Sequence, residues 1–136
     1  RFSEIFGRII VVTNQQGIGK GLMTESEVNL IHQQMMAEIG RAGGKIDAVF
    51  FSPHLKSGKS FIRKPNVGMA LKARKQFPEI HFNRSVMAGD SLSDMIFGKR
   101  AGMKTVLISH DTATAKIHPR QIDFIYPDLI SLAHAL

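Results

Sequence analysis

The stretch Val86-Met87-Ala88-Gly89-Asp90-Ser91-Leu92-Ser93-Asp94-Met95 decides the fold. It reads as a short apolar strand that ends in Gly-Asp, turns, and starts a helix carrying a second carboxylate, Asp94. A buried parallel strand delivers its last residue to the sheet edge where open α/β sheets bind ligands. The helix that follows presents free N–H groups at the same edge. A carboxylate facing such a helix start suits a divalent cation and a phosphate.

Outward from this stretch, the pattern repeats. Downstream, the helix is expected over Leu92 to Ala101 and is stopped by Gly102, and Lys104-Thr105-Val106-Leu107-Ile108 is the next strand. Phe124-Ile125 is a short last strand, and Asp128 caps a final helix through Leu129, Ile130, Leu132 and Leu136. Upstream, Ser85 to Ala88 is the strand itself, preceded by a helix from Asn66 to Phe77 with Pro65 at its entry. Ser52 to Ile62 reads as a basic loop and Ala48-Val49-Phe50-Phe51 as a strand. Thr24 and Glu27 form a capping box, and Val28, Ile31, Met35 and Ile39 recur at helical spacing up to Gly43-Gly44, with the methionines as core filler. Before them, Asn14 to Gly21 is a polar, glycine-rich loop, and Ile9-Ile10-Val11-Val12-Thr13 is the β-branched run of a strand buried on both faces. Phe2, Ile5 and Phe6 read as the last turns of a helix capped by Gly7. Strands alternating with helices predict an α/β fold, a doubly wound, Rossmann-like parallel sheet.

Composition bounds the partners. At 136 residues, with 43% hydrophobic and 21% charged residues, the chain is one domain of ordinary soluble composition. No apolar run reaches membrane-spanning length and Arg1 to Phe6 lacks the layout of a signal peptide, so no membrane partner is expected. The absence of cysteine removes disulfides and thiolate metal sites, and the cytoplasm is the default compartment. The net charge of +7 comes from 18 Lys and Arg spread along the chain, with one Tyr and no Trp available for base stacking. No nucleic-acid partner is therefore expected, and a phosphorylated small molecule is the better match to the charge.

Three polar sites fall at strand ends or just beyond them: Thr13, Arg63-Lys64 and Asp90. Each alone has an ordinary explanation, as a β-branched strand end, a solvated helix start and a turn. Their order and context are more specific. Val11-Val12-Thr13-Asn14-Gln15, Arg63-Lys64-Pro65 and Gly89-Asp90-Ser91-Leu92-Ser93-Asp94 together resemble the second, third and fourth motifs of the haloacid dehalogenase-like phosphatases. More narrowly, Thr13 to Gly21 and Arg63 to Met69 look like the branch that holds the heptose-1,7-bisphosphate and histidinol phosphatases.

That resemblance implies a magnesium-dependent phosphomonoester hydrolase without a large cap domain, acting on a sugar phosphate through an aspartyl-phosphate. Heptose 1,7-bisphosphate is the leading substrate, with histidinol phosphate or another small phosphomonoester as the alternative. Thr13 would donate its hydroxyl, and Asn14 its amide, to phosphoryl oxygens, with Gln15 and Gln16 beside them at the substrate. Lys64 would place a charge on the transferring group, Arg63 would offer a planar fork to a phosphate, and Asp90 would hold magnesium. Asp94 reads as supporting that site or as a helix-start carboxylate.

Two departures from the family follow. No Asp-x-Asp occurs in the chain, so a strand carrying the nucleophile is expected upstream of Arg1, the alternative being a catalytically inactive phosphate-binding or scaffold domain. The loop from Ser52 to Ile62 has one histidine, His54, and no cysteine, so no zinc is expected there. Lys56 and Lys59 in the same loop could meet a second phosphate, although solvation explains them as well.

Overall fold

The computed structural model describes residues 1–57 and 59–136. Its strands are β1 (Ile10–Asn14), β2 (Ala48–Ser52), β3 (Val86–Gly89), β4 (Lys104–Ile108) and β5 (Phe124–Tyr126). All pairings are parallel, as the βα alternation requires, but they fall into two sheets: β1-β2, and β3-β4-β5 in that order. β1 and β3 each have one ladder partner among the described residues. The fold is α/β with parallel sheets, with no large cap among the described residues, and the single doubly wound sheet of the sequence reading is divided between β1 and β3.

What joins the halves is a helix. α4 (Gly68–Gln76) buries Met69, Ala70 and Ala73. Met69 and Ala70 form a core with Met87 and Phe97, against which Val12 and Phe50 of the first sheet and Phe82 and Met103 of the second side pack. The helix begins two residues later than its apolar pattern predicts. Asn66 is used in a turn instead, its N–H bonded to Arg63 O at 2.9 Å and its amide to Ser60 O at 2.7 Å. Gly68 then lets the helix start press on the preceding loop, since a Cβ there would stand 2.6 Å from Phe61 O.

α5 (Leu92–Ala101) follows its sequence signals at both ends. Ser91 and Asp94 form a capping box, and Gly102 closes the helix in the left-handed region at φ 85°. α3 (Glu25–Arg41) likewise starts on the Thr24–Glu27 box, with Glu27 N–H on Thr24 Oγ1 at 3.1 Å. Only Val28 of α3 is fully buried, and Ile31, expected in the core, is 51% exposed. A two-stranded sheet offers too little surface to cover every apolar position of a 17-residue helix.

Smaller elements differ from expectation. α1 (Phe2–Ile5) ends at Phe6, whose backbone is extended, rather than at Gly7. α2 (Gln16–Gly19) is a single turn within the stretch read as loop, and α6 (Ala113–Ile117) was not signalled. β1 is half-buried along its length rather than buried on both faces. α7 (Leu129–Ala135) is capped as expected, Ser131 N–H donating to Asp128 Oδ1 at 2.7 Å. Among the described residues no helix is long and apolar enough to cross a membrane.

Candidate functional site

The C-terminal ends of β1 and β3 both lie where parallel sheets present ligand-binding loops. At the end of β1 the side chains divide by strand alternation. Thr13 Oγ1 accepts from the Gln15 amide at 3.2 Å, which leaves the Thr13 hydroxyl hydrogen to point elsewhere. Asn14, between them in sequence, reaches the segment before α4. Its Oδ1 accepts from Lys64 N–H at 3.0 Å and its Nδ2 donates to Lys64 O at 3.3 Å. The carboxamide expected to face a phosphoryl group is thus bonded to the Lys64 backbone. Gln15 N–H donates to Ser52 O at 2.8 Å, extending the β1–β2 pairing one step beyond the strand.

Lys64 connects the two halves. Its ammonium donates to Val12 O in β1 at 3.0 Å and to Asp94 Oδ1 in α5 at 2.5 Å. The Lys64 and Asp94 side chains are 10% and 6% exposed, so the pair is shielded from solvent. Charges so placed attract strongly and are costly to leave alone. The other Asp94 oxygen accepts from Ser91 N–H at 3.1 Å and Ser91 Oγ at 2.8 Å. Asp94 is therefore a helix-start carboxylate that also holds Lys64. Gly89 makes the room: a Cβ there would lie 2.6 Å from Asp94 Cβ and overlap its carboxylate.

Asp90 stands exposed between β3 and the Ser91 cap, with no side-chain hydrogen bond to the described residues. For a magnesium ion the donor chemistry divides the two aspartates. Asp90 is a free oxygen ligand, whereas Lys64 and Ser91 occupy both oxygens of Asp94. Among the described residues no group of three or more His, Cys, Asp or Glu is gathered. One or two carboxylates completed by water and phosphate is a usual magnesium set, so Asp90 fits and Asp94 does not.

Two expected residues stand apart from Lys64. Arg63 donates from Nη1 to His54 O at 3.1 Å and so braces its own loop. Gln16 Oε1 accepts from Lys56 N–H at 3.4 Å, and Gly19 approaches Pro53 O so closely that a Cβ would stand 2.5 Å from it. The α2 turn and the loop after β2 thus form one wall. Sequence reasoning did not find the Val12 carbonyl as a lysine acceptor, and nothing in a residue type signals a backbone contact. The Ser91–Asp94 pairing did have a signal, the S-x-x-D spacing of a capping box.

The same architecture recurs in known proteins. The family described as HAD-hydrolase-like matches residues 61–132, and the chain belongs to it. Within that class, the chain is 39% identical over 87 residues to a D-glycero-alpha-D-manno-heptose-1,7-bisphosphate 7-phosphatase of Mycobacterium bovis, covering 64% of this chain and 46% of the relative. It is 30% identical over 131 residues to a D-glycero-beta-D-manno-heptose-1,7-bisphosphate 7-phosphatase of Pasteurella multocida, covering 91% of this chain and 71% of the relative. The crystal structure of D,D-heptose 1,7-bisphosphate phosphatase from B. bronchiseptica, complexed with magnesium and phosphate, superposes with a TM-score of 0.81 at 25% identity, covering 94% of this chain and 73% of that one. The chain spans about half the length of the first curated relatives it matches, 46% and 56%.

Proposed function

We propose that this chain forms the phosphate-binding and metal-binding part of a cytoplasmic magnesium-dependent phosphomonoester hydrolase acting on heptose 1,7-bisphosphate. The observation that carries the reading is the shielded Lys64 ammonium, fixed by Val12 O and Asp94 beside the ends of β1 and β3. The similarity to heptose bisphosphate phosphatases over most of the chain supports the substrate.

In such a reaction a carboxylate attacks phosphorus, the bond from phosphorus to the sugar oxygen breaks, and the leaving oxygen takes a proton. Water then cleaves the acyl phosphate and releases inorganic phosphate. The chain carries no Asp-x-Asp, and β1 and β3, each with one ladder partner among the described residues, have the free edges between which a strand with the attacking carboxylate would sit. Thr13 donates its hydroxyl to a phosphoryl oxygen, and Gln15 keeps that hydroxyl turned outward by donating to its oxygen. The Lys64 ammonium has one N–H beyond its two contacts and places it on the transferring group. Asp90 would hold magnesium, which when bound would supply positive charge against the phosphoryl group. The wall made by Gln16, Arg63 and the loop after β2 shapes the space for the rest of the sugar.

The test is phosphate release from heptose 1,7-bisphosphate by the intact protein with magnesium, with histidinol phosphate for comparison and chelator as control. Chelator-sensitive turnover that favours the heptose is expected. Faster turnover of histidinol phosphate would reassign the substrate. Phosphate binding without turnover would leave an inactive phosphate-binding domain.

A further inference from the structure

Residues 63–67 belong to no helix or strand, so the polar backbone groups of Lys64 must find partners outside regular structure. Asn14 supplies both. A carboxamide carries a donor and an acceptor side by side in one plane, as a peptide group does, and here it binds the Lys64 N–H at 3.0 Å and the Lys64 C=O at 3.3 Å. The far end of the same lysine returns to Val12 O, two residues before Asn14 on the same strand. Lys64 is therefore fixed to β1 at its backbone and at its ammonium, and β1 is the strand that carries Thr13. The lysine charge is thus held from the strand that carries the Thr13 hydroxyl, with Asp94 of α5 as the ammonium's other partner.

We propose that Asn14 is a positioning residue for Lys64, clamping its backbone so that the ammonium stands at the phosphoryl site, and that it acts on substrate only through that lysine. The catalytic part of this inference rests on the phosphatase reading; the clamp itself does not. The competing role for Asn14 is direct contact with the phosphoryl group through its second amide hydrogen.

The experiment uses the intact protein and two readouts. In the first, lysines are acetylated with acetic anhydride and followed by peptide mass spectrometry, with Lys99 as internal reference. Loss of those two hydrogen bonds should raise Lys64 labelling in N14A by about tenfold or more, with Lys99 unchanged. An unchanged Lys64, or a rise shared by all lysines, overturns the proposal. N14D, which keeps an acceptor for the Lys64 N–H but sets an oxygen against the Lys64 carbonyl, gives a smaller rise and serves if N14A does not fold. Labelling of N14D at the wild-type rate overturns the proposal equally. In the second readout, N14A lowers kcat about tenfold or more with KM within about twofold, and adding N14A to K64A causes no further loss. Losses that multiply in the double variant would show Asn14 acting independently of Lys64, against the proposal. A wild-type protein that releases no phosphate defeats the phosphatase reading, and the labelling result still decides the clamp.

Discussion

Two lysine–aspartate pairs of the same chemistry stand in different settings. Lys99, in the last turn of α5, meets Asp123 at 2.7 Å, and Lys64 meets Asp94 in the first turn of the same helix. Asp123 Oδ2 also accepts from Thr105 N–H at 2.8 Å and Thr105 Oγ1 at 3.1 Å, so α5 and the entry to β5 are tied to β4 through one oxygen. With side chains 29% and 21% exposed, that pair is a staple within one half of the molecule. The Lys64 pair joins the two halves, is far more shielded, and has Thr13 and Asp90 at the adjoining strand ends. Position, rather than residue type, separates a staple from a candidate site.

The largest effect is expected from Lys64→Met. On the proposed reading, in which Lys64 faces the transferring phosphoryl group, its removal should cut turnover by about 10²–10³-fold. Stranding Asp94 in its shielded setting should cost about 3–5 kcal/mol of stability in denaturant titration. A variant with near-normal turnover would reduce this pair to a second staple. Gly89→Ala comes next: its methyl group drives into Asp94, and such overpacking costs about 1–3 kcal/mol with a parallel fall in turnover. Stability lost without turnover would show that Lys64 does not depend on Asp94 for its place.

The staple should answer to pH instead. Its hydrogen bond from Lys99, aided by those from Thr105, holds the Asp123 carboxyl down at about 2 against an ordinary 3.8. A lowered carboxyl stabilises the fold above the unfolded pKa, so the contribution is complete above about pH 4 and fades as the pH falls toward 2, about 2 kcal/mol in all. Thermal melts between pH 5 and 2 should show this slope, flattened in Asp123→Asn; an identical slope in the variant would place the acid sensitivity elsewhere. Lys99→Met is the smallest change, about 1 kcal/mol of stability with turnover preserved, since the pair is partly open to solvent. Loss of turnover there would erase the distinction between the two pairs.

Local rules made much of this legible. α5 and β4 lie where their signals put them because a capping box, a helical apolar period, a terminal glycine and a β-branched run all agree. α2 escaped because Gly17 and Gly19 are poor helix formers, and its turn is held against Pro53 of the loop after β2. The Arg63-Lys64 pair reads as two neighbouring cations in sequence, yet its members part in space, one bracing its loop and the other crossing to Asp94. The division of the sheet was not legible in this way, since strand and helix signals give the alternation but not which strands pair, and the described strands pair as β1-β2 and β3-β4-β5. The partners of Asn14 and Val12 are backbone atoms that become neighbours only after folding, and no spacing announces them.

The most direct test of the central claim is a crystal structure of the intact protein soaked with magnesium and inorganic phosphate. The phosphate should lie between the Thr13 hydroxyl and the Lys64 ammonium, with the cation on Asp90 and Asp94 still paired to Lys64. Phosphate bound elsewhere, or a cation held by Asp94 with Lys64 released, would contradict it.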